Sequence, residues 1–411
     1  MIKSRGAILA LLTGLNFLNY IDRYVLASVL KHITSDLQLS HLEAGLGGSA
    51  FMVGYFMTAP LFGARADKGN RKGLIAFGVL VWSLATVATG LSSGLVAFLI
   101  ARMFVGIGEA SYATLAPTII DDMTPPESKN RTLAIFYLAI PLGSAMGFIM
   151  GGVIDTHIGW HEAFFIAGAP GALLALTCLL ILEPPRKLAA AKTNIVENLR
   201  VLAKIPLFRR AVVGYCAYTA ALGAFAYWGP EFLGTRFEIT TEKSGFWFGV
   251  TTVISGTIAT LVGGRWADRT VRELPAVDPD APHDARENRV AINALLRICA
   301  LGMVVAAPLG VVTFFMPSLP TFLVLTFFVQ LGLFVSTSPV NAIGLRSVPP
   351  YLRASAMAAM IFAIHLFGDL WSTAALGLLR DLLPMLLAMM ALPLTFALSA
   401  YWWWPRKREA E

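Results

Sequence analysis

GARADK at residues 63–68 and GRWADR at 264–269 decide how this chain is read. Both fit G-x-x-A-D-[KR], and each closes a long apolar run, the second and the eighth of twelve. A fainter echo accompanies them. The fourth run ends near Pro117 with Pro125 and Pro126 beyond it, and the tenth near Pro339 with Pro349 and Pro350. Landmarks that return at the same place in two sets of six runs indicate a duplication. The expectation is an all-α membrane protein, with twelve transmembrane helices in two pseudo-symmetric six-helix bundles. Repeats of this kind place a substrate near the bilayer midplane where the halves meet.

Composition points the same way. Of 411 residues, 56% are hydrophobic and 14% charged, too little charge for a soluble chain of this size. A spanning helix needs about 20 mostly apolar residues. The runs fall at 7–30, 43–64, 74–92, 95–120, 132–154, 162–183, 208–232, 244–266, 290–314, 318–340, 352–376 and 382–404. The opening MIKSRGAILALLTGL imitates a secretory signal, but no A-x-A-like site follows, so it is expected to remain as the first helix. Residues 184–207 begin with Pro184 and Pro185 and divide the spans six and six. The expected domains are an N-terminal bundle at 1–183, a cytoplasmic linker at 184–207 and a C-terminal bundle at 208–411. The linker should carry an amphipathic segment around Asn194 to Lys204. Cys178, Cys216 and Cys299 lie in apolar runs and read as small hydrophobes.

Basic residues set the orientation. Lys3, Arg5, Arg65, Arg71, Lys72, Arg131, Arg346, Arg353 and the 406–408 cluster fall on one side of the alternating spans, together with the two long loops. The other side holds Lys31, Arg236, Lys243 and Arg380. The excess predicts both termini in the cytoplasm and accounts for the net charge of +7. Anionic headgroups suffice as partners for that charge, and no nucleic acid is needed. Short tails and spare loops fit a multi-pass protein of a bacterial inner membrane. A monomer is expected.

Few ionisable residues lie inside the spans. Asp22 and Arg23 interrupt the first, within NFLNYIDRYVLASVL (16–30); Arg102 and Glu109 the fourth; His365 and Asp369 the eleventh. Such residues usually face the bundle interior with a partner and mark pathways. Asp22 sits about 8 residues, roughly 12 Å, below the outer end of its helix, and Arg102 about 7 residues, roughly 10 Å, below that of the fourth. Similar depth makes Asp22–Arg102 the preferred pair. Glu109 lies deeper on the face of Arg102, with Arg23 or solvent in reach. Apolar burial favours the protonated form of a carboxylate. Glu109, and secondarily Asp22, are therefore expected to carry a proton. Arg102 or Arg23 would bind an anionic headgroup through the planar guanidinium fork. The competing reading is a static pair that only ties the first helix to the fourth. Aligning Pro117 with Pro339 sets Leu331 opposite Glu109, so coupling is expected in the first half alone. His365 and Asp369 lie one turn apart and could serve function or structure equally. Tyr112, Tyr137, Tyr218, Tyr227, Trp228 and Gln330 are candidate cavity residues that could accommodate an acyl chain.

GARADKGNRK resembles the loop between the second and third helices of the major facilitator superfamily, departing at Asn70, where that family has glycine. NYIDRY, GIGEASYATLAPTIIDD (106–122), IFYLAIPLGSAMG (135–147), LEPPR (182–186) and HLFGD (365–369) together resemble the Spinster transporters. The resemblance implies the major facilitator fold and transport of lysophospholipids or sphingosine-1-phosphate-like sphingolipids. On this reading Gly63, Asp67, Arg71, Arg131 and Asp268 form a cytoplasmic gate, with Asp67 latching onto Arg71, Arg131 or the start of the eleventh helix. Gly143, Gly147, Gly151 and Gly152 should let the fifth helix pack closely.

No G-x-x-x-x-G-K-[ST] motif, metal-ligand spacing or nucleophile–base arrangement occurs, so neither an enzyme nor a cofactor is expected. The leading functional reading is a proton-coupled, alternating-access transporter of an amphipathic lipid. A proton symporter for a small organic anion such as a sugar acid, and an uncoupled lipid scramblase or sensor, are the alternatives.

Overall fold

A computed structural model describes residues 2–66, 69–125, 128–183, 195–274, 286–349 and 352–406. The chain is almost wholly helical: α1 (Arg5–Asp36), α2 (His41–Ala66), α3 (Arg71–Gly90), α4 (Leu95–Met123), α5 (Lys129–His157), α6 (Trp160–Cys178), α7 (Ile195–Lys204), α8 (Pro206–Arg236), α9 (Thr241–Arg272), α10 (Arg286–Phe314), α11 (Leu319–Phe334), α12 (Thr337–Arg346), α13 (Arg353–Ile364), α14 (Leu370–Leu382), α15 (Met385–Met389) and α16 (Ala391–Trp403). Eleven stretches among the described residues are long and apolar enough to cross a membrane. The 32-residue α1 is not among them, because Asn16, Asn19, Asp22 and Arg23 lower its hydropathy. Met57, Val96, Leu173 and Leu394 are 68% to 72% exposed, as side chains facing lipid would be.

Two compact units emerge. The first comprises Met1–Ala189, Ala226–Val250 and Thr373–Asp381; the second comprises Ala190–Phe225, Thr251–Ser372 and Leu382–Glu411. In the first, small residues bring backbones together. A Cβ at Gly143 would lie 2.6 Å from the Phe17 carbonyl oxygen, one at Gly147 2.7 Å from that of Ile21, and one at Gly151 3.2 Å from that of Val25. Steps of four on α5 thus meet steps of four on α1, which is the stripe the sequence suggested. Ser28 donates to the Phe148 carbonyl at 2.8 Å on the same seam. Against it packs a core of Leu12, Leu15, Val79, Trp82, Ile119 and Phe136.

Asn70 explains its own departure from the family pattern. Its φ is +62°, in the left-handed region that glycine and, next best, asparagine adopt, and its side chain accepts from the Gly73 N–H at 3.2 Å to cap α3.

In the second unit the eleventh apolar run is not one regular helix. Residues His365–Asp369 form a π-helical turn between α13 and α14. Cys216 and Thr219 of α8 brace it, donating to the carbonyls of Ala363 at 3.3 Å and Ile364 at 3.1 Å. Gly368 is required here, since a Cβ would lie 2.2 Å from Thr219 Oγ1. The amphipathic linker segment appears as α7, with Leu202 buried and Arg200 and Lys204 exposed.

Candidate functional site: a buried ionic cluster

Helices α1, α2 and α4 build the cluster. Glycines on α2 and α4 let these two approach: a Cβ at Gly106 would lie 1.9 Å from the Phe51 carbonyl oxygen, and one at Gly54 2.1 Å from that of Met103. The approach delivers the Phe51 ring to the charges. Its centroid lies 4.8 Å from the Arg23 guanidinium and 5.4 Å from that of Arg102, within cation–π range of both. Tyr20, one turn from Arg23, adds a second ring at 5.1 Å.

The four charged residues follow the sequence expectation in one pair and depart from it in the other: Arg23 does reach Glu109. Arg23 Nη2 donates to Glu109 Oε2 at 2.6 Å, joining a fully buried carboxylate to a guanidinium 25% exposed. The expected Asp22–Arg102 pair does not form. Asp22 Oδ2 instead accepts from the Thr86 hydroxyl of α3 at 3.3 Å. Asp22 and Arg102 remain within electrostatic reach, so depth was matched while the direction around each helix axis was not. Asp22 Oδ1, Glu109 Oε1, Arg102 Nε and Nη1, and Asn19 Nδ2 have no hydrogen-bond partner among the described residues. A buried polar atom left so costs about 1–3 kcal/mol, more when charged. Five such atoms fall on α1 and α4, the two helices that carry the Arg23–Glu109 pair.

The expected cavity residues are placed mostly in packing. Tyr112 is fully buried, donates to the Leu12 carbonyl and meets Trp82 and Phe136 edge-on and tilted, so it belongs to the core. Tyr227 donates to the Ala44 carbonyl at 2.5 Å, and the fully buried Trp228 to that of Thr373 at 2.9 Å. In the second unit, Gln330 accepts from Ser255 Oγ at 2.6 Å and donates to Thr252 Oγ1 at 3.0 Å. Tyr218 lies 3.4 Å from the Thr337 hydroxyl. Those contacts use the polar atoms that would otherwise greet a ligand. Tyr137 alone of the set is exposed. His365 Nδ1 lies 2.9 Å from Asp369 Oδ2, which makes the one-turn pair a direct contact.

The gate residues resolve in part. Asp67 lies outside the described residues. Arg71 is buried and reaches Asp122 Oδ2 at 2.5 Å and Glu183 Oε1 at 2.8 Å, from α4 and the end of the first bundle. Both acids come from sequence blocks that were singled out, IIDD and LEPPR, without a role being assigned to them. Arg131 is exposed, and Gly63 has only the Thr114 methyl near its missing Cβ, at 3.8 Å. Asp268 is exposed and lines a groove of about 310 Å3 with Arg272 and Arg346.

Sequence reasoning missed the charge pairs at the opposite ends of these helices. Arg380 makes a two-point contact with Glu231, both nearly buried, and its guanidinium lies 4.8 Å from the Trp228 ring centroid. Asp381 accepts from the backbone N–H groups of His41 at 2.9 Å and Leu42 at 2.8 Å, capping α2. His32 Nδ1 meets the buried Asp155 at 2.6 Å. These residues fall at the edges of apolar runs, where a charge looks ordinary.

A bundle of apolar helices with charge concentrated on α1 and α4 defines a membrane transporter, and the comparisons agree. The sequence profile of the Major Facilitator Superfamily matches residues 12–372, so the chain is an integral, multi-pass transporter of that superfamily and not an enzyme. Within it, the chain belongs to the spinster family. It is 32% identical over 406 residues to the probable sphingolipid transporter spinster homolog 2 of Arabidopsis thaliana, covering 89% of this chain and 79% of that protein. It is 30% identical over 398 residues to the human protein spinster homolog 1, covering 91% and 72%. A crystal structure of a bacterial homologue of the human lysosomal transporter Spinster, inward-facing and occupied, superposes with a TM-score of 0.85 at 20% identity, over 100% of this chain and 99% of that one. A D-xylose–proton symporter superposes with a TM-score of 0.75 at 15% identity, over 97% and 96%. At these identities the two structures speak for the fold.

Proposed function

We propose that this protein is a proton-coupled, alternating-access transporter of an amphipathic, phosphate-bearing lipid of the lysophospholipid or sphingosine-1-phosphate kind. The observation that carries the reading is the Arg23–Glu109 pair: a buried carboxylate whose ion-pair partner among the described residues is partly exposed. A lipid phosphate arriving at Arg23 offers two oxygens to the planar guanidinium fork and competes with Glu109. Glu109, left in apolar surroundings without its cation, then takes a proton, because such surroundings disfavour a lone charge. Release of the phosphate reverses the exchange. Arg102 and Asp22, with their unsatisfied atoms, supply a second cation and a second carboxylate beside the first. Phe51 and Tyr20 shield the guanidinium groups from the hydrocarbon. The sphingolipid transporters among the relatives support the lipid class.

In this reading α1 is the twelfth span, the bundles divide at 1–183 and 208–411, and both termini face the cytoplasm of a bacterial inner membrane. The protein works as a monomer. Arg71, with Asp122 and Glu183, anchors the cytoplasmic gate to which Gly63, Asp67, Arg131 and Asp268 belong.

Reconstitution tests the proposal. With an imposed proton gradient, proteoliposomes should accumulate a lysophospholipid or sphingosine-1-phosphate, and a protonophore should abolish the accumulation. Equal movement with and without the gradient would establish the scramblase alternative instead. Uptake of a sugar acid with no lipid transport would establish the organic-anion symporter.

A further inference from the structure

The second unit carries a groove of its own, lined by none of the residues of the ionic cluster. A groove of about 560 Å3 runs between α10 and α16, walled by Val304, Ala397 and Ala400 and closed at one end by Tyr401, Trp404 and Arg406. Its depth comes from the two alanines, which leave room where larger neighbours project: Tyr401 is 64% exposed and Trp404 48%. The charged end is held in place. Arg210 of α8 donates to the carbonyls of Trp402 at 3.3 Å and Trp404 at 2.5 Å, fixing the chain just past α16. The Arg406 guanidinium lies 5.7 Å from the ring centroids of both Tyr401 and Trp402. Among the described residues Arg406 forms no ion pair.

The groove is thus apolar along its length and cationic at one end, with Trp and Tyr at the change of polarity. Aromatic residues of this kind settle at the headgroup level of a bilayer, and basic residues at that level attract anionic lipid. A cation without an ion-pair partner among the described residues, beside an apolar slot, complements one class of molecule present at that depth. We propose that the groove holds an anionic phospholipid of the surrounding bilayer, with an acyl chain against Val304, Ala397 and Ala400 and its phosphate on Arg406. The bound lipid would cover the α10–α16 seam. This site is separate from the transport pair and does not depend on the transported substrate.

The test uses the full chain, purified in detergent and stripped of lipid. Phosphatidylglycerol and phosphatidylcholine with matched chains are offered in equal amounts, and retained lipid is counted by native mass spectrometry. The wild-type protein should retain phosphatidylglycerol several-fold over phosphatidylcholine. Arg406→Gln should bring the two to parity. Ala397→Phe, at an exposed position that fills the slot, should lower retention of both. Equal retention of the two lipids by the wild type, or an unchanged preference in Arg406→Gln, would overturn the proposal. So would undiminished retention in Ala397→Phe.

Discussion

Two polar clusters, one in each unit, are built from different materials. In the first unit Asp22, Arg23, Arg102 and Glu109 make one ion pair and leave several buried atoms unsatisfied. In the second, Gln330 joins Ser255 and Thr252 in a neutral network whose amide is used on both its oxygen and its nitrogen. A satisfied neutral network holds helices together and has little to exchange. An ionic cluster with spare donors and acceptors is costly at rest and can trade partners. On the proposed mechanism, the duplication kept the frame in both halves and the exchangeable ionic cluster in the first.

The largest effect should come from removing one member of the ion pair. Arg23→Ala leaves the buried Glu109 carboxylate without its ion-pair partner, at a cost of about 3–5 kcal/mol. Denaturation in detergent should show that loss, and adding Glu109→Gln should recover most of it. If the double variant is no more stable than Arg23→Ala alone, the two residues are not coupled. Next comes the close approach that delivers Phe51. Gly106→Ala places a methyl on the Phe51 carbonyl and should cost about 1–3 kcal/mol together with transport. Gly256→Ala in the second unit meets only the Phe334 ring at 3.5 Å and should be tolerated. Equal penalties for the two glycines would remove this contrast.

Smaller still is Gln330→Leu, which should lower stability by about 1 kcal/mol and leave gradient-driven transport intact. Loss of coupling in that variant would extend the exchange chemistry to the second unit. The smallest effect concerns His32, at the end of α1 beyond the span 7–30. The hydrogen bond to Asp155 raises the His32 pKa above its ordinary value near 6.5. A raised folded-state value means that this contribution is complete below the ordinary histidine pKa and fades as pH rises through the folded one. Solvent screening at this half-exposed ring keeps it below about 1 kcal/mol. Thermal melts of the wild type should drop slightly across that window, and Asp155→Asn should flatten the dependence. A melt that rises with pH there would contradict the assignment.

The fold was legible because its signals are periodic or repeated. Apolar runs announce spans, G-x-x-A-D-[KR] announces the duplication, and glycines four apart announce a close-packing stripe on the fifth span, though not that α1 fills it. The membership of the site was legible because a charge inside an apolar run is conspicuous. Its pairing was legible in part: Arg23 in reach of Glu109 was expected, whereas the Asp22–Arg102 pair was expected and does not form. Spacing along a helix fixes depth, but which residue meets Arg102 depends on how α1 is rotated against α4, and on Phe51 arriving from a third helix. Tyr112 illustrates the same limit, since an aromatic residue on a buried helix is core or cavity wall according to its direction. Glu231 and Arg380 escaped notice for another reason: at the edge of a run, sequence does not separate a solvated charge from a buried one. The π-turn at His365–Asp369 leaves the apolar pattern unchanged, so nothing in the composition announces it.

The Glu109 carboxylate is the group proposed to carry the proton that drives transport. Glu109→Gln keeps the shape and a hydrogen-bonding partner for Arg23 but cannot ionise. In proteoliposomes it should lose accumulation driven by a proton gradient while retaining substrate binding and gradient-free exchange. Full gradient-driven accumulation by Glu109→Gln would contradict the account.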